Sequence, residues 1–123
     1  MGRLNQCKIV KKALTDYISY FKQGGVTILR PLFNDEQQSY LVLNIGWRNK
    51  RYIHNTVIHI DLIEQLIWIQ KDDTEEGIAT ALVEAGIPKN RIVLGFRQPE
   101  LRSYTGFAVG QVSQSVSVES LNR

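Results

Sequence analysis

Two hydrophobic rhythms divide the chain. Leu4, Cys7, Val10, Leu14, Tyr17, Ile18 and Phe21 recur at steps of three and four, with Lys8, Lys11, Lys12, Thr15, Ser19 and Lys22 between them. That period lays one apolar stripe along an α-helix. Gly24-Gly25 then supplies the dihedral freedom that ends it. From residue 26 the rhythm drops to two. Apolar runs over 26–33, 40–47, 51–61 and 66–70 are separated by polar clusters at 34–39 and 48–50 and by a further turn at Leu62-Ile63-Glu64-Gln65. In the second run Leu41, Leu43, Ile45 and Trp47 alternate with Tyr40, Val42, Asn44 and Gly46, which predicts a strand with one very apolar face. Connections this short favour an antiparallel meander, because parallel pairing needs a crossover of about a dozen residues or more.

Past residue 70 the helical period returns. Asp73 or Thr74 is placed to cap a second helix over 74–85, with Glu75 and Glu76 at the positive end of its dipole. Gly86 is expected in the left-handed C′ position, with Ile87 folding back on Leu82, and Pro88 forbids continuation. A short apolar piece follows at 92–94, and Pro99 opens one more helical turn. The pattern therefore predicts an α+β fold: the N-terminal helix and a second helix packed on a mostly antiparallel sheet built from residues 26–70. Residues 1–110 read as a single domain, and 111–123, with four serines, as a tail that is frayed or draped on a neighbour.

Composition adds boundaries rather than a function. At 123 residues, with 43% hydrophobic and 22% charged, the chain can build one ordinary core without a staple. Cys7 is the only cysteine, so an intramolecular disulfide and a cysteine-rich zinc site are both excluded, and its place in the apolar stripe makes it a small buried hydrophobe. No apolar run approaches the length of a membrane span, and a soluble, cytoplasmic protein is expected. The charge is uneven. Residues 1–51 hold 9 Lys/Arg against 3 Asp/Glu, whereas 52–123 hold 6 against 9. Lys8, Lys11 and Lys12 on the first helix, with Arg48, Lys50 and Arg51 in a hairpin turn, are the candidate phosphate contacts for DNA. The same residues serve equally as the solvated face of a helix and a soluble edge.

The candidate chemistry is thin. His54 and His59 are five apart on one strand, an odd spacing that points them to opposite faces and denies them a common metal unless a bulge intervenes. His59 and Asp61 share a face and form the one candidate polar cluster. Its neighbours Asn55 and Val57, read as lying on the same face, supply neither nucleophile nor third ligand. The acidic string Asp72-Asp73-Thr74-Glu75-Glu76 lacks the spacing and central glycine of a calcium loop, and there is no phosphate-binding glycine fingerprint. No catalytic residues, metal ligands or cofactor are assigned. Trp47, Trp68 and Phe107, together with Phe33 and Tyr40, are more aromatic surface than two short helices need hide. The first three are the candidate partner interface, with a homodimer expected.

Longer stretches carry a resemblance. Leu43-Asn44-Ile45-Gly46-Trp47, His54, Ile58-His59-Ile60-Asp61 and Ile67-Trp68-Ile69-Gln70 with Asp72 are similar to the XisI family. So are Thr74-Glu75-Glu76-Gly77-Ile78-Ala79, Leu82-Val83-Glu84-Ala85-Gly86-Ile87-Pro88 and Val93-Leu94-Gly95-Phe96. The block closes with Pro99-Glu100, Arg102, Tyr104-Thr105 and Phe107-Ala108, so the likeness covers residues 4–109 in consistent order. The family is that of the fdxN element excision controlling factor XisI. The resemblance implies a small α+β protein assisting programmed excision of a DNA element from a nitrogen-fixation operon. It also implies a separate site-specific recombinase that cuts the DNA and a nuclease-like companion, XisH. It supplies no catalytic residues. Three readings stand: an accessory factor acting through protein partners, a direct DNA binder using the basic half, and a ligand-binding or enzymatic domain centred on His59 and Asp61.

Overall fold

In the computed structural model, residues 3–21 and 26–110 are described. The helix α1 (Arg3–Phe21) is followed by β1 (Ile28–Asn34), β2 (Ser39–Arg48), β3 (Arg51–Ile63) and β4 (Leu66–Asp72), then by α2 (Ile78–Glu84) and β5 (Ile92–Leu94). Short 3-10 turns occupy Lys89–Arg91 and Pro99–Tyr104. The strands form one sheet in sequence order, antiparallel from β1 to β4. The 92–94 piece joins as β5, parallel to β4, because the connection through α2 is long enough for a crossover. The expected α+β fold is present. The tail over 111–123 and the Gly24-Gly25 stop lie outside the described residues. No described helix is long and apolar enough to cross a membrane.

One sheet face holds the core. Tyr40, Val42, Ile58, Ile60, Ile67, Ile69 and Ile92 lie beneath Val10 and Leu14 of α1 and Ile78 and Leu82 of α2, all buried. Burying each such side chain contributes about 1.5–3 kcal/mol, which is what holds the two layers together. Gln6 is also buried and gives its amide to the Gln65 carbonyl at 3.2 Å, tying the start of α1 to the β3–β4 turn.

The end of α2 follows expectation and its start does not. Gly86 takes φ 108°, its N–H donates to the Val83 carbonyl, and the Ile87 N–H donates to Leu82, both at 3.0 Å; Ile87 and Leu82 are buried in the same core. At the other end, residues 73–76 form a turn and the helix begins at Ile78 after Gly77 at φ 87°. A helix cannot extend back through a left-handed residue, so neither Asp73 nor Thr74 is its cap. Asp72 takes that role from the end of β4. One carboxylate oxygen accepts the Ile78 N–H at 2.7 Å, and the other accepts the Thr74 N–H at 3.0 Å and hydroxyl at 2.6 Å.

Two further features shape the sheet. The register of β3 against β2 slips between Val42 and Leu43, so that Val57 and Ile58 are both buried, the mark of a β-bulge. Beyond it the β2–β3 hairpin carries no fully buried side chain and projects past the core. β1 is an edge strand and carries Pro31 at its centre.

Candidate functional site

The bulge decides which residues share the second face of the sheet. Side chains directly opposite across a strand pair point the same way. Leu41, Leu43 and Ile45 lie on one face of β2 and stand opposite His59, Thr56 and His54. Both histidines therefore point to the same face, contrary to the expectation from odd spacing, because the extra residue restores the phase. Val57 is turned to the core for the same reason and is not a neighbour of His59. The histidines sit opposite positions four apart on β2, about 13 Å along the strand at roughly 3.3 Å per residue, too far for one metal. Among the described residues no group of three His, Cys, Asp or Glu is placed to hold a metal ion.

His59 and Asp61 do meet. The His59 Nε2 is 3.0 Å from the Asp61 Oδ1, and Ser39 joins them from β2: its hydroxyl donates to the same Oδ1 at 2.6 Å and lies 3.3 Å from Nε2. Gln70 donates its amide to the Asp61 Oδ2 at 3.2 Å. A serine, a histidine and an aspartate in contact suggest a nucleophilic relay, but the geometry is a different one. A relay needs the carboxylate on one ring nitrogen and the hydroxyl on the other. Here a single nitrogen faces both, and the hydroxyl spends its proton on the carboxylate. What results is a closed polar cluster at the floor of an open concavity of about 730 Å³, walled by Leu32, Phe33, Leu41 and Ile63. Ser39 and Gln70 were not legible as site residues. Gln70 lies where β4 slips against β3 between His59 and Ile60.

Around this cluster the face is mostly apolar, interrupted by Arg30 opposite Leu43, and the described residues leave much of it uncovered. Ile28 and Leu32 of β1 are 67% and 45% exposed, and Leu41, Leu43 and Ile45 of β2 are half-buried. At the far end Trp47 is 63% exposed, with its ring 5.1 Å from that of Tyr52. Trp68 lies on the same face but is buried, which removes it from the candidate interface. Segment 95–110 lies over it: the Arg102 guanidinium sits 5.1 Å above the ring, and a Cβ on Gly110 would come within 2.8 Å of it. Arg102 fixes that segment by donating to the carbonyls of Gly95 and Arg97. Phe107 is half-buried against the core under Lys89, and Phe33 and Tyr40 also pack into the core. Of the five aromatic residues singled out in the sequence, only Trp47 is exposed.

The candidate basic contacts fall into two groups rather than one surface. Lys11 pairs with Asp35 and Lys12 with Asp16, each at 2.9 Å, while Lys8 is exposed. Asp35 precedes β2, whereas Arg48, Lys50 and Arg51 form the turn after it, about 30 Å away along the strand. Around Asp35 lies a network with no sequence signal beyond a polar turn. The Cys7 Sγ is 3.3 Å from the Asp35 Oδ1 and 3.0 Å from the Tyr40 hydroxyl, which itself donates to Asp35 at 2.8 Å. Cys7 is buried as expected, but in polar company. The Lys11 ammonium, then Tyr40 and Cys7, hold the Asp35 carboxyl down at about 2. Burial, then the bonds to Cys7 and Asp35, push the Tyr40 phenol well above its ordinary value.

These elements define a two-layer α+β domain, its sheet covered by helices on one face and open over β1–β3 on the other. The chain belongs to the XisI family: the family profile described as "XisI protein" matches residues 1–109. A crystal structure of a XisI-like protein from Anabaena variabilis ATCC 29413 is 33% identical, covers 87% of this chain and 98% of its own, and superposes with a TM-score of 0.80. The fdxN element excision controlling factor XisI from the same organism shares the fold at 24% identity and a TM-score of 0.66, over 85% of this chain and 99% of its own. No curated protein matches the chain.

Proposed function

We propose that this chain is an accessory factor in excision of a DNA element, acting in the cytoplasm by holding a protein partner on the open face of β1–β3 and performing no catalytic step itself. The partner is an XisH-like, nuclease-like companion working beside a site-specific recombinase. One observation carries the reading: Ile28 and Leu32 stand exposed beside Leu41, Leu43 and Ile45 on a sheet face that nothing in the described chain covers. Exposed apolar side chains grouped on one sheet face, here around the single charge of Arg30, are a mark of surfaces where partners dock. The name of the relative at 24% identity, an excision controlling factor, supplies the process. The Ser39–His59–Asp61 cluster supports the non-catalytic part, since the serine hydroxyl donates to the carboxylate and both meet the same ring nitrogen, His59 Nε2.

The test is co-purification with an XisH-like protein after nuclease treatment to remove bridging DNA. A stoichiometric complex is expected, weakened at least tenfold by Ile28→Glu with Leu32→Glu, both at exposed positions. Failure of the native chain to form it overturns the reading. Metal-dependent cleavage of DNA by the purified chain, abolished in His59→Ala, overturns its non-catalytic part.

A further inference from the structure

The tip of the β2–β3 hairpin is built for an anionic partner. Arg48 and Arg51 stand directly opposite each other in register, with Lys50 between them in the turn. Like charges facing across a strand pair are destabilising. Among the described residues none of these three cations has an ion-pair partner. Beside them are the exposed, mutually packed rings of Trp47 and Tyr52. Tryptophan, tyrosine and arginine are the residue types that dominate binding energy at protein interfaces.

The opposite chemistry lies elsewhere on the same chain. A groove of about 910 Å³ runs between α1, α2 and the turn before α2. Its floor is apolar, from Ile9, Ala13, Tyr17 and Ala81. Its rim carries Glu75, Glu76 and Glu84, for which the described residues offer no ion-pair partner. Asp16 is on the rim too, paired with Lys12. The volume is of the size that takes whole side chains. An acidic, apolar groove on a chain of net charge +3 calls for a basic, aromatic occupant.

We infer that the hairpin tip of one copy docks in the α1–α2 groove of a second copy, Trp47 and Tyr52 against the floor and Lys50 and Arg51 against the glutamates. Engaged reciprocally, each tip in the other copy's groove, the contact is isologous and closes as a two-fold pair. It uses neither the centre of the open sheet face nor a companion protein, and it stands apart from the reading above. Duplex DNA is the competing anion for the cations alone, but it leaves the acid-rimmed groove without a role.

Light scattering across a dilution series reads the proposal. The native chain is expected to rise above its 14.1 kDa mass with concentration and to fall back as salt screens the contact. Lys50→Glu with Arg51→Glu, and separately Glu75→Lys with Glu76→Lys, are each expected to weaken association at least tenfold. Because every substituted side chain is exposed, circular dichroism should show both variants folded. Mixing the two variants restores opposite charges at both contacts and should restore the higher mass. A native chain that stays at 14.1 kDa at the highest concentration overturns the proposal. So does a mixture that fails to associate, or a tip variant that loses duplex DNA while its mass stays that of the native chain.

Discussion

Asp35 occupies a turn that the sequence marks only as polar, yet its carboxylate gathers Lys11 and Cys7 from α1 and Tyr40 from β2. Its folded value of about 2 lies below the ordinary 3.8, so as pH falls the unfolded chain takes up this proton first. The contribution of Asp35 is complete above about pH 4 and is lost between roughly pH 4 and 2. Urea denaturation across that window should therefore show the native chain and Asp35→Asn converging in stability as the pH drops. Tyr40 has the reverse sign. Its raised phenol contributes below the ordinary value of 10.0, and that contribution is lost as pH rises past it, where only the unfolded chain ionises freely. Absorbance titration should find Tyr40, and Tyr17, raised by its burial and by Asp72 and Asp73, ionising above the ordinary value of 10.0. Replacing Tyr40 with Phe should remove the higher of the two. Nothing in the spacing of Cys7, Asp35 and Tyr40 announces this network, because its members meet only after α1 has packed on the sheet.

At the scale of elements, periodicity located what the core requires and missed what single backbone angles decide. The end of α2 was legible because Gly86 and Pro88 impose it chemically, one by permitting a left-handed residue and the other by forbidding a further helical N–H bond. Its start was not, because Gly77 looks like an ordinary early helix position until its φ of 87° is known. Asp72 then does the capping from a neighbouring strand. Asp72→Ala leaves the Ile78 and Thr74 donors without their acceptor and should cost about 1–3 kcal/mol. Asp72→Asn, which keeps one carbonyl oxygen, should cost less, and thermal unfolding of the two variants checks the order.

For the molecule as a whole, the layer order and the strand sequence followed from the hydrophobic rhythm, whereas the site did not. Counting pairs back from the turn at 49–50 without a slip sets Ser39 opposite Ile60, on the core face. The bulge at Val57 moves that partner to Asp61 and gathers Ser39, His59 and Asp61 together. A single added residue changes every facing relation beyond it, and no apolar pattern encodes it. The same bulge separates a sheet region locked under two helices from an arm without buried side chains. Amide exchange should register that division: the 44–48 and 51–55 amides should exchange well before those of 58–62, whose opening requires the core to come apart. Uniform protection along both strands would show the arm to be held by contacts within the isolated chain.

Pro31 carries a consequence for life at high concentration. A free strand edge is a template on which other chains can grow fibrils, and among the described residues β1 is such an edge, seven residues long. The β1–β2 ladder runs unbroken past Pro31, so the donor that proline lacks is missing from the outer side. An arriving strand finds a gap at the middle of its would-be ladder, flanked by the exposed charge of Arg30. The chain can thus present an apolar sheet face without inviting backbone-to-backbone polymerisation, and a Pro31→Val substitution would surrender that safeguard, speeding fibril growth in a dye-binding assay.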